Sequence, residues 1–258
     1  DCTSLRSISI PDSVTYIAVK AFYRCTSLSS ISIPNSVTVI GSEAFANCTS
    51  LHSISIPDSV TSIKYNAFYE CTSLSSISIP NSVTSIEASA FGGCSSLSTI
   101  NIPNSVTSIE CDVFKGCSSL GTINIPNSVT SIGSDAFKGC SSLSTINIPN
   151  SITWIGEQAF YKCTNLTDIY YDGTETEWKK ISISNGNEKL KNAKIHFASG
   201  KIAQNIPTDK YGILVIDSAG KAISGAKVQW NNSTQTTSDD GIVFFDKLTV
   251  GQPSITVT

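Results

Sequence analysis

The hydrophobic and polar residues of this chain follow one pattern that returns every 23 residues, seven times in succession. The fourth unit, residues 71–93, reads CTSLSSISIPNSVTSIEASAFGG, with small or apolar residues at eight regularly spaced positions. A proline recurs at 11, 34, 57, 80, 103, 126 and 149, and a phenylalanine at 22, 45, 68, 91, 114, 137 and 160. An uninterrupted period of this length predicts a solenoid, because one unit alone is too small to bury its apolar face.

Each unit predicts a coil with three sides. Residues 76–79 alternate polar and β-branched apolar side chains, which is typical of a half-buried strand that Pro80 ends. Residues 83–86 predict a second, shorter extended segment, and Phe91 lies in a predicted 3₁₀ or α-helical turn. Equivalent strand segments, such as Ser30 to Ile33 and Ser53 to Ile56, should form one parallel sheet in a right-handed solenoid, with Ile31, Ile54 and Ile77 stacked inside.

The repeat, of the form CxxLxxIxIPxSVTxIxxxAFxx, resembles the BspA-type leucine-rich repeat family over residues 2 to about 197. The resemblance implies a surface-exposed bacterial protein associated with adhesion and with binding to a host or to the extracellular matrix. Relatives occur in some parasitic protists. These attributes are implied by the resemblance, whereas the solenoid follows from the period itself.

The repeat pattern ends in the eighth unit, which begins at Cys163. Residues 170–197 resemble the terminal cap of such arrays, with a short helical run around Glu177 and Trp178, a turn at Asn185 and Gly186, and a final strand ending at Phe197. Trp178, Ile181 and Ile195 are expected to cover the last core layer. The fold class is therefore mainly β, with a 23-residue leucine-rich repeat solenoid at 1–197, capped from about 163. A polar linker follows at 198–209. Residues 210–258 predict a small β-sandwich, complete or truncated, with turns at Ser218, Gly220 and Gly225, and it resembles Ig-like, carboxypeptidase-regulatory or Cna-B-like surface modules.

Composition and charge narrow the range of partners. A net charge of −3 with only 14% charged residues leaves no basic stripe, so nucleic acid and anionic membranes are poor candidates. No apolar run is long enough for a transmembrane helix, and no signal peptide is recognisable. The chain opens directly on a repeat and has no methionine, so we expect a monomeric fragment of a longer, exported protein.

Eight of the nine cysteines occupy one repeat position and should form a column along one edge of the solenoid. Buried thiols that act as small hydrophobes are the main expectation, and pairing of neighbouring cysteines is the alternative. The ninth, Cys111, lies outside the column and is expected to be exposed and free.

The pattern contains no arrangement typical of catalysis, and the chain is predicted not to be an enzyme. The two histidines, His52 and His196, are interpreted as solvated surface residues. Carboxylates at the turn after the proline alternate with asparagine and serve the turn. Asp239 and Asp240 before Gly241 are interpreted as a turn rather than a calcium loop. No catalytic residue, cofactor or metal site is predicted.

The outward positions of the strands predict a ligand surface on the sheet. Serines fill these positions in the early coils, and threonine–asparagine pairs replace them from the fifth unit. Such residues also suit plain side-by-side packing, but an asparagine column offers regular donors and acceptors and the last strand adds an aromatic ring. The candidate residues are Asn101, Asn124, Asn147, Asp168 and Tyr170. Trp154 and Tyr161 could instead form a separate patch on other sides of the coil.

Three functions fit this pattern. The first is a non-enzymatic extracellular binding or adhesion segment at a bacterial cell surface, which presents a rigid repeat surface to a host or matrix protein or a glycan. The second is a passive stalk or spacer, favoured by low charge and by repeats that barely vary. The third is an accessory module of a larger surface enzyme.

Overall fold

The computed structural model describes residues 1–198, 210–214, 225–230, 233–237, 242–246 and 255–257. The chain forms two compact units, one comprising 1–172 and 177–196 and the other 173–176 and 197–258. The predicted linker lies outside the described residues except for Ala198, as does the Asp239–Gly241 turn. Coils 1 to 7 are numbered here as residues 2–24, 25–47, 48–70, 71–93, 94–116, 117–139 and 140–162, and coil 8 begins at Cys163.

The first unit is a solenoid of about eight turns built from parallel strands. The first side carries β3 (Ser53–Ser55), β5 (Ser76–Ser78), β7 (Thr99–Ile100), β9 (Thr122–Asn124), β11 (Thr145–Ile148), β13 (Asp168–Tyr171) and β15 (Lys194–Phe197). The second side carries β1 (Tyr16–Ile17), β2 (Val39–Ile40), β4 (Ser62–Ile63), β6 (Ser85–Ile86), β8 (Ser108–Ile109), β10 (Ser131–Ile132), β12 (Trp154–Ile155) and β14 (Ser182–Ile183). The third side consists of turns.

The inward isoleucines of the first side confirm the predicted phase of the strands. Ile54 pairs with Ile77 in the parallel register, and Ile31, Ile54 and Ile77 are all buried while the flanking serines are exposed. The predicted strand in coil 2 is reduced to isolated bridges from Ser32 to its neighbours in coils 1 and 3. An end coil has fewer neighbours to hold its backbone, which accounts for the difference.

The first side is two sheets rather than the single predicted one, because the ladder breaks between β7 and β9. The break coincides with Gly121, which stands where other coils have a serine such as Ser98 or Ser144. Those serines add a side-chain hydrogen bond to the preceding coil, and Gly121 cannot. Its N–H lies 3.5 Å from the Ser98 carbonyl oxygen, at the limit of a hydrogen bond.

The third side is not helical, which corrects the predicted helical turns. In coil 3, Phe68 N–H donates to the Ala90 carbonyl of the next coil, while Tyr69 N–H donates to Asn66 in its own coil. Asn66 and Glu70 have positive φ values of 54° and 56°. Left-handed residues interrupt any helix, so alternate N–H groups are turned toward the neighbouring coil instead.

Hydroxyl groups explain the serine and threonine of the SVT segment, which reads SIT in coil 7. Ser82 Oγ donates to the Val60 carbonyl of the preceding coil at 2.8 Å, and Thr84 Oγ1 donates to the Thr61 carbonyl at 3.3 Å. Val83 N–H closes the turn that begins at Pro80, at 3.1 Å. Every coil therefore reaches back to the previous one through side chains as well as through its main chain.

The core is a continuous column of stacked phenylalanines. Neighbouring rings from Phe22 to Phe160 lie 5.2 to 5.9 Å apart, with interplanar angles of at most 16°. All of them from Phe45 onward are fully buried. The first coil is less covered: Ile8 is 40% exposed, whereas its counterpart Ile31 is 8% exposed.

Buried thiols form a second column beside the phenylalanines. Cys71 Sγ donates to the Phe45 carbonyl of the preceding coil at 3.1 Å, and the same contact recurs from Cys48 to Cys163. Burial raises the pKa of Cys48 and of Cys163 to about 12. These thiols are thus uncharged packing groups that donate to the backbone, and Cys111 is exposed as predicted.

The cap follows the predicted outline and adds one helix. The predicted helical run is α1 (Glu175–Trp178), and the Asn185–Gly186 turn and the strand ending at Phe197 are present. Trp178 and Ile181 are buried, while Ile195 is half-buried. The sequence analysis did not predict α2 (Glu188–Asn192), which inserts the fully buried Leu190.

Asn187 lies just before α2. Its side chain makes hydrogen bonds that the backbone of a further coil would otherwise make. The Phe160 N–H donates to Asn187 Oδ1 at 3.1 Å, where interior coils use the alanine carbonyl of the next coil. Asn187 Nδ2 donates in turn to the carbonyls of Gly156 and Ser184 at 2.9 and 3.0 Å. This buried amide therefore satisfies the end of the main-chain ladder.

The second unit contains two small antiparallel sheets among the described residues. One pairs β16 (Lys210–Leu214) with β19 (Ile242–Asp246), and the other places β17 (Lys227–Trp230) between β18 (Ser233–Thr236) and β20 (Ile255–Val257). Val228 and Val243 are buried, and Gly225 occupies its predicted turn with a φ of 77°. Whether these sheets form an Ig-like or Cna-B-like sandwich stays a prediction.

Truncation of an interior phenylalanine should destabilise two interfaces at once. Phe91→Ala is expected to cost about 3–5 kcal/mol, because the ring is fully buried between Phe68 and Phe114. Phe22→Ala is the control and should cost less, because Phe22 stacks on Phe45 alone. Chemical denaturation measures both, and equal losses would contradict the column as the source of stability.

Removal of the capping amide should open the last coil. Asn187→Ala leaves the Phe160 N–H and the Gly156 carbonyl without their side-chain partner, at about 1–3 kcal/mol for each buried group left unpaired. Hydrogen–deuterium exchange at the Phe160 amide should become faster, while Asn192→Ala, on the exposed side of α2, should leave it unchanged. Unaltered protection of Phe160 in Asn187→Ala would show that the cap does not depend on this amide.

Candidate functional site

The predicted surface residues lie on the outer face of β9, β11 and β13. Asn124 pairs with Asn147 and Asn147 with Tyr170 in the parallel register, and Thr145 pairs with Asp168 beside them. The parallel spacing of these strands places successive side chains about 5 Å apart. The structure therefore brings four of the five predicted residues into one patch.

Asn101 is the exception. It is exposed, but it follows β7, and the ladder is broken between β7 and β9. Asn101 is therefore not paired with Asn124 in the ladder, and its place in the ligand surface stays a prediction.

The two paired asparagines bind each other. Asn147 Nδ2 donates to Asn124 Oδ1 at 3.3 Å, and both side chains are exposed. This bond fixes the orientation of the two amides relative to each other and uses one N–H of Asn147 and one lone pair of Asn124 Oδ1. Each amide has further N–H groups and lone pairs, so the pair offers both donors and acceptors to a ligand.

Tyr170 is 45% exposed, but it is not an open platform. The His196 ring stacks on it with centroids 4.6 Å apart and an interplanar angle of 12°. One face of the phenol is thus covered, and its other face, its edge and its hydroxyl group remain for a ligand.

His196 is the residue that the sequence analysis misjudged. It is half-buried rather than solvated, and its Nε2 lies 2.7 Å from Asp168 Oδ1. The alternation in β15 places His196 on the same face as the exposed Lys194, so it gives no signal of this contact. His52 is exposed as predicted.

The electrostatics of the patch centre on Asp168. The hydrogen bond from His196 lowers the pKa of the Asp168 carboxyl group below its ordinary value, with further contributions from Thr167 and Lys194. The patch thus carries a carboxylate held in place by the cap strand, next to two neutral amides and one phenol.

The described residues hold no cluster of three or more histidine, cysteine or acidic side chains that could bind a metal ion. Within the described part of the chain, no helix is long and apolar enough to span a membrane. The contacts within the patch are hydrogen bonds and ring stacking.

The parallel coils and their 23-residue unit place the chain among leucine-rich repeat solenoids. The family described as the BspA type leucine rich repeat region matches residues 1–120 and 84–206. The chain belongs to this BspA-type leucine-rich repeat family. No curated protein matches the chain.

Solved bacterial structures share the fold. A leucine-rich repeat protein of T. pallidum is 32% identical, with a TM-score of 0.58, over 62% of this chain and 78% of that one. A leucine-rich repeat protein of Bacteroides ovatus is 31% identical, with a TM-score of 0.58, over 71% of this chain and 52% of that one. A leucine rich cell surface protein of Faecalibacterium prausnitzii is 32% identical, with a TM-score of 0.51, over 70% of this chain and 63% of that one. The chain thus spans little more than half of the B. ovatus protein.

The contact between Asp168 and His196 gives a testable pH dependence. Because the folded-state pKa of Asp168 is lowered, this carboxylate stabilises the fold at pH values above its unfolded pKa, and the contribution is lost as the pH falls through the folded value. His196→Ala should raise the Asp168 pKa toward its ordinary value, as followed by NMR titration of the carboxyl carbon. Lys194→Ala, which removes the smallest of these contributions, should raise it less, and the reverse order would contradict the assignment.

Proposed function

We propose that this chain is a non-enzymatic binding segment of a bacterial cell-surface protein, which engages an extended segment of a host or matrix protein through the outer face of β9, β11 and β13. Residues Asn124, Asn147, Asp168 and Tyr170 form the contact surface, and His196 supports it. A cell-surface location is favoured by family membership and by the F. prausnitzii relative, which is itself a cell surface protein.

The observation that carries the proposal is the change in side chains along the outer face of the first side. Coils 1 to 4 present serines there, whereas the same positions in coils 6 to 8 hold the bonded amides Asn124 and Asn147 and then Tyr170. Aromatic and amide groups contribute more to recognition than serine does. A polypeptide suits the surface, because the amides and the phenol offer both donors and acceptors to the N–H and carbonyl groups of a main chain.

The absence of a predicted catalytic group agrees with a binding role. The contact with Asp168 could orient the His196 imidazole as a general base. The other contact that the structure shows for this ring is stacking on Tyr170. Hydrolysis by a triad needs a nucleophile at the other ring nitrogen. We therefore assign the pair to holding the cap strand and Tyr170 in position.

The binding surface can be tested with a double variant. Tyr170→Ala with Asn147→Ala should weaken binding at least about tenfold to whichever ligand an array of extracellular-matrix proteins and glycans identifies. The matched control is Ser55→Ala with Ser78→Ala, at equivalent positions in coils 3 and 4, which should retain wild-type affinity.

The array also separates the alternatives. If only glycans bind, the partner at this surface is a polysaccharide and not a protein. Failure to bind any component at high micromolar concentration would favour the passive stalk. If the double variant and the wild type bind with equal affinity, the binding site lies elsewhere on the protein.

A further inference from the structure

The turn side of coils 3 to 5 contains a groove of about 340 Å³, away from the strand face described above. Two exposed tyrosines stand in it, Tyr65 at 47% and Tyr69 at 37% exposure. Its main lining residues are Tyr65, Asn66, Tyr69, Gly92, Asp112 and Lys115. The volume falls in the range of small-molecule sites, at its lower end.

The groove arises from one departure from the repeat. Gly92 occupies a position that is tyrosine in coils 1, 3 and 7 and lysine in coils 5 and 6. A Cβ atom there would lie 3.1 and 3.3 Å from two ring carbons of Tyr69, so the Tyr69 ring rests against the bare backbone of coil 4. The missing side chain leaves a gap between Tyr69 and Lys115.

A second departure coincides with the first. Coil 5 has Val113 where the other coils have alanine before the phenylalanine. The neighbouring rings of Phe91 and Phe114 lie 5.9 Å apart, the widest spacing in the column, and the ladder of the second side is broken between β6 and β8. The larger valine side chain accounts for the wider ring spacing, while the main-chain hydrogen bonds between coils 4 and 5 on the turn side remain 2.7 to 3.0 Å long.

The charges of the side chains in the groove nearly cancel. Lys115 Nζ binds Asp112 at 2.7 Å and Asp135 at 3.1 Å, so its charge is compensated. Asn66 Oδ1 is buried without a hydrogen-bond partner among the described residues. A side-chain rotation toward the groove would let this oxygen accept a hydrogen bond from a ligand hydroxyl group, which would resolve the unsatisfied acceptor.

We propose that this groove binds a short neutral saccharide. A sugar ring has an apolar face of C–H groups, which fits the exposed rings of Tyr65 and Tyr69, and a rim of hydroxyl groups, which fits Asn66 and Asp112. The compensated charge of Lys115 gives an anionic ligand no advantage. A peptide strand is less suited, because the nearby N–H groups of Asn66 and Glu70 already donate to coil 4.

The test uses the full 258-residue chain and an array of neutral and acidic oligosaccharides, followed by calorimetry and saturation-transfer NMR on the best neutral binder. Tyr69→Ala should weaken binding roughly tenfold, because the main ring contact is lost. Gly92→Tyr should abolish binding by filling the gap, and it requires a small shift of the Tyr69 ring, which a Cβ atom at this position would approach to 3.1 Å.

Tyr161→Ala is the matched control, because Tyr161 occupies the same position in coil 7, outside the groove. The saccharide affinity of this variant should equal that of the wild type. Thermal unfolding of each variant checks that the solenoid remains folded. The proposal is overturned by the absence of any neutral saccharide ligand, by a preference for acidic ones, or by unchanged affinity in folded Gly92→Tyr.

Discussion

Main-chain hydrogen bonding between successive coils, at a constant register of 23 residues, is the constraint on which the rest of this structure depends. Two sides of the coil satisfy it with short parallel strands, and the third side satisfies it with turns whose alternate N–H groups point to the next coil. A backbone that is bonded on three sides fixes the distance between coils. Side chains at equivalent positions must therefore stack on copies of themselves, which explains the column of phenylalanine rings and the column of thiols.

The same constraint determines what an end of the array needs. The last coil presents N–H and carbonyl groups with no following coil, and leaving them buried and unpaired would be costly. Asn187 resolves this locally, because one amide side chain offers the donor and acceptor of a peptide group. Trp178 and Leu190 cover the apolar part of the same layer. Neither group belongs to the repeat, so the cap must be built from an unrelated sequence.

The sequence predicted those features that repeat, and it failed where one coil differs from the rest. The phase of Ile54 and Ile77 follows from alternation alone, because a shift of one residue would expose the whole apolar face. The turn side was misjudged as helical, since Asn66 and Glu70 are ordinary in type and only their positive φ values break the helix. The contact of His196 with Asp168 and Tyr170 joins residues of two strands that follow different patterns, and no periodic signal connects them. The alignment of Asn124, Asn147 and Tyr170 on one face follows from the period. The break of the ladder beside Asn101 coincides with a single residue that departs from the period, Gly121.

Function in such an array is limited to positions that the stacking does not control. Inward positions are committed to the core, and many hydroxyl groups, such as Ser82 Oγ and Thr84 Oγ1, are used between coils. Selectivity must then come from outward positions that differ between coils. The strand face changes gradually, from serine to asparagine and then to Tyr170, which suits a long partner that spans several coils. The turn side changes abruptly at Gly92 and Val113, and an abrupt change creates a concave site for a small ligand. The two surfaces lie on different sides of the same rigid stack, so variants in one can be compared with variants in the other without altering the fold that both share.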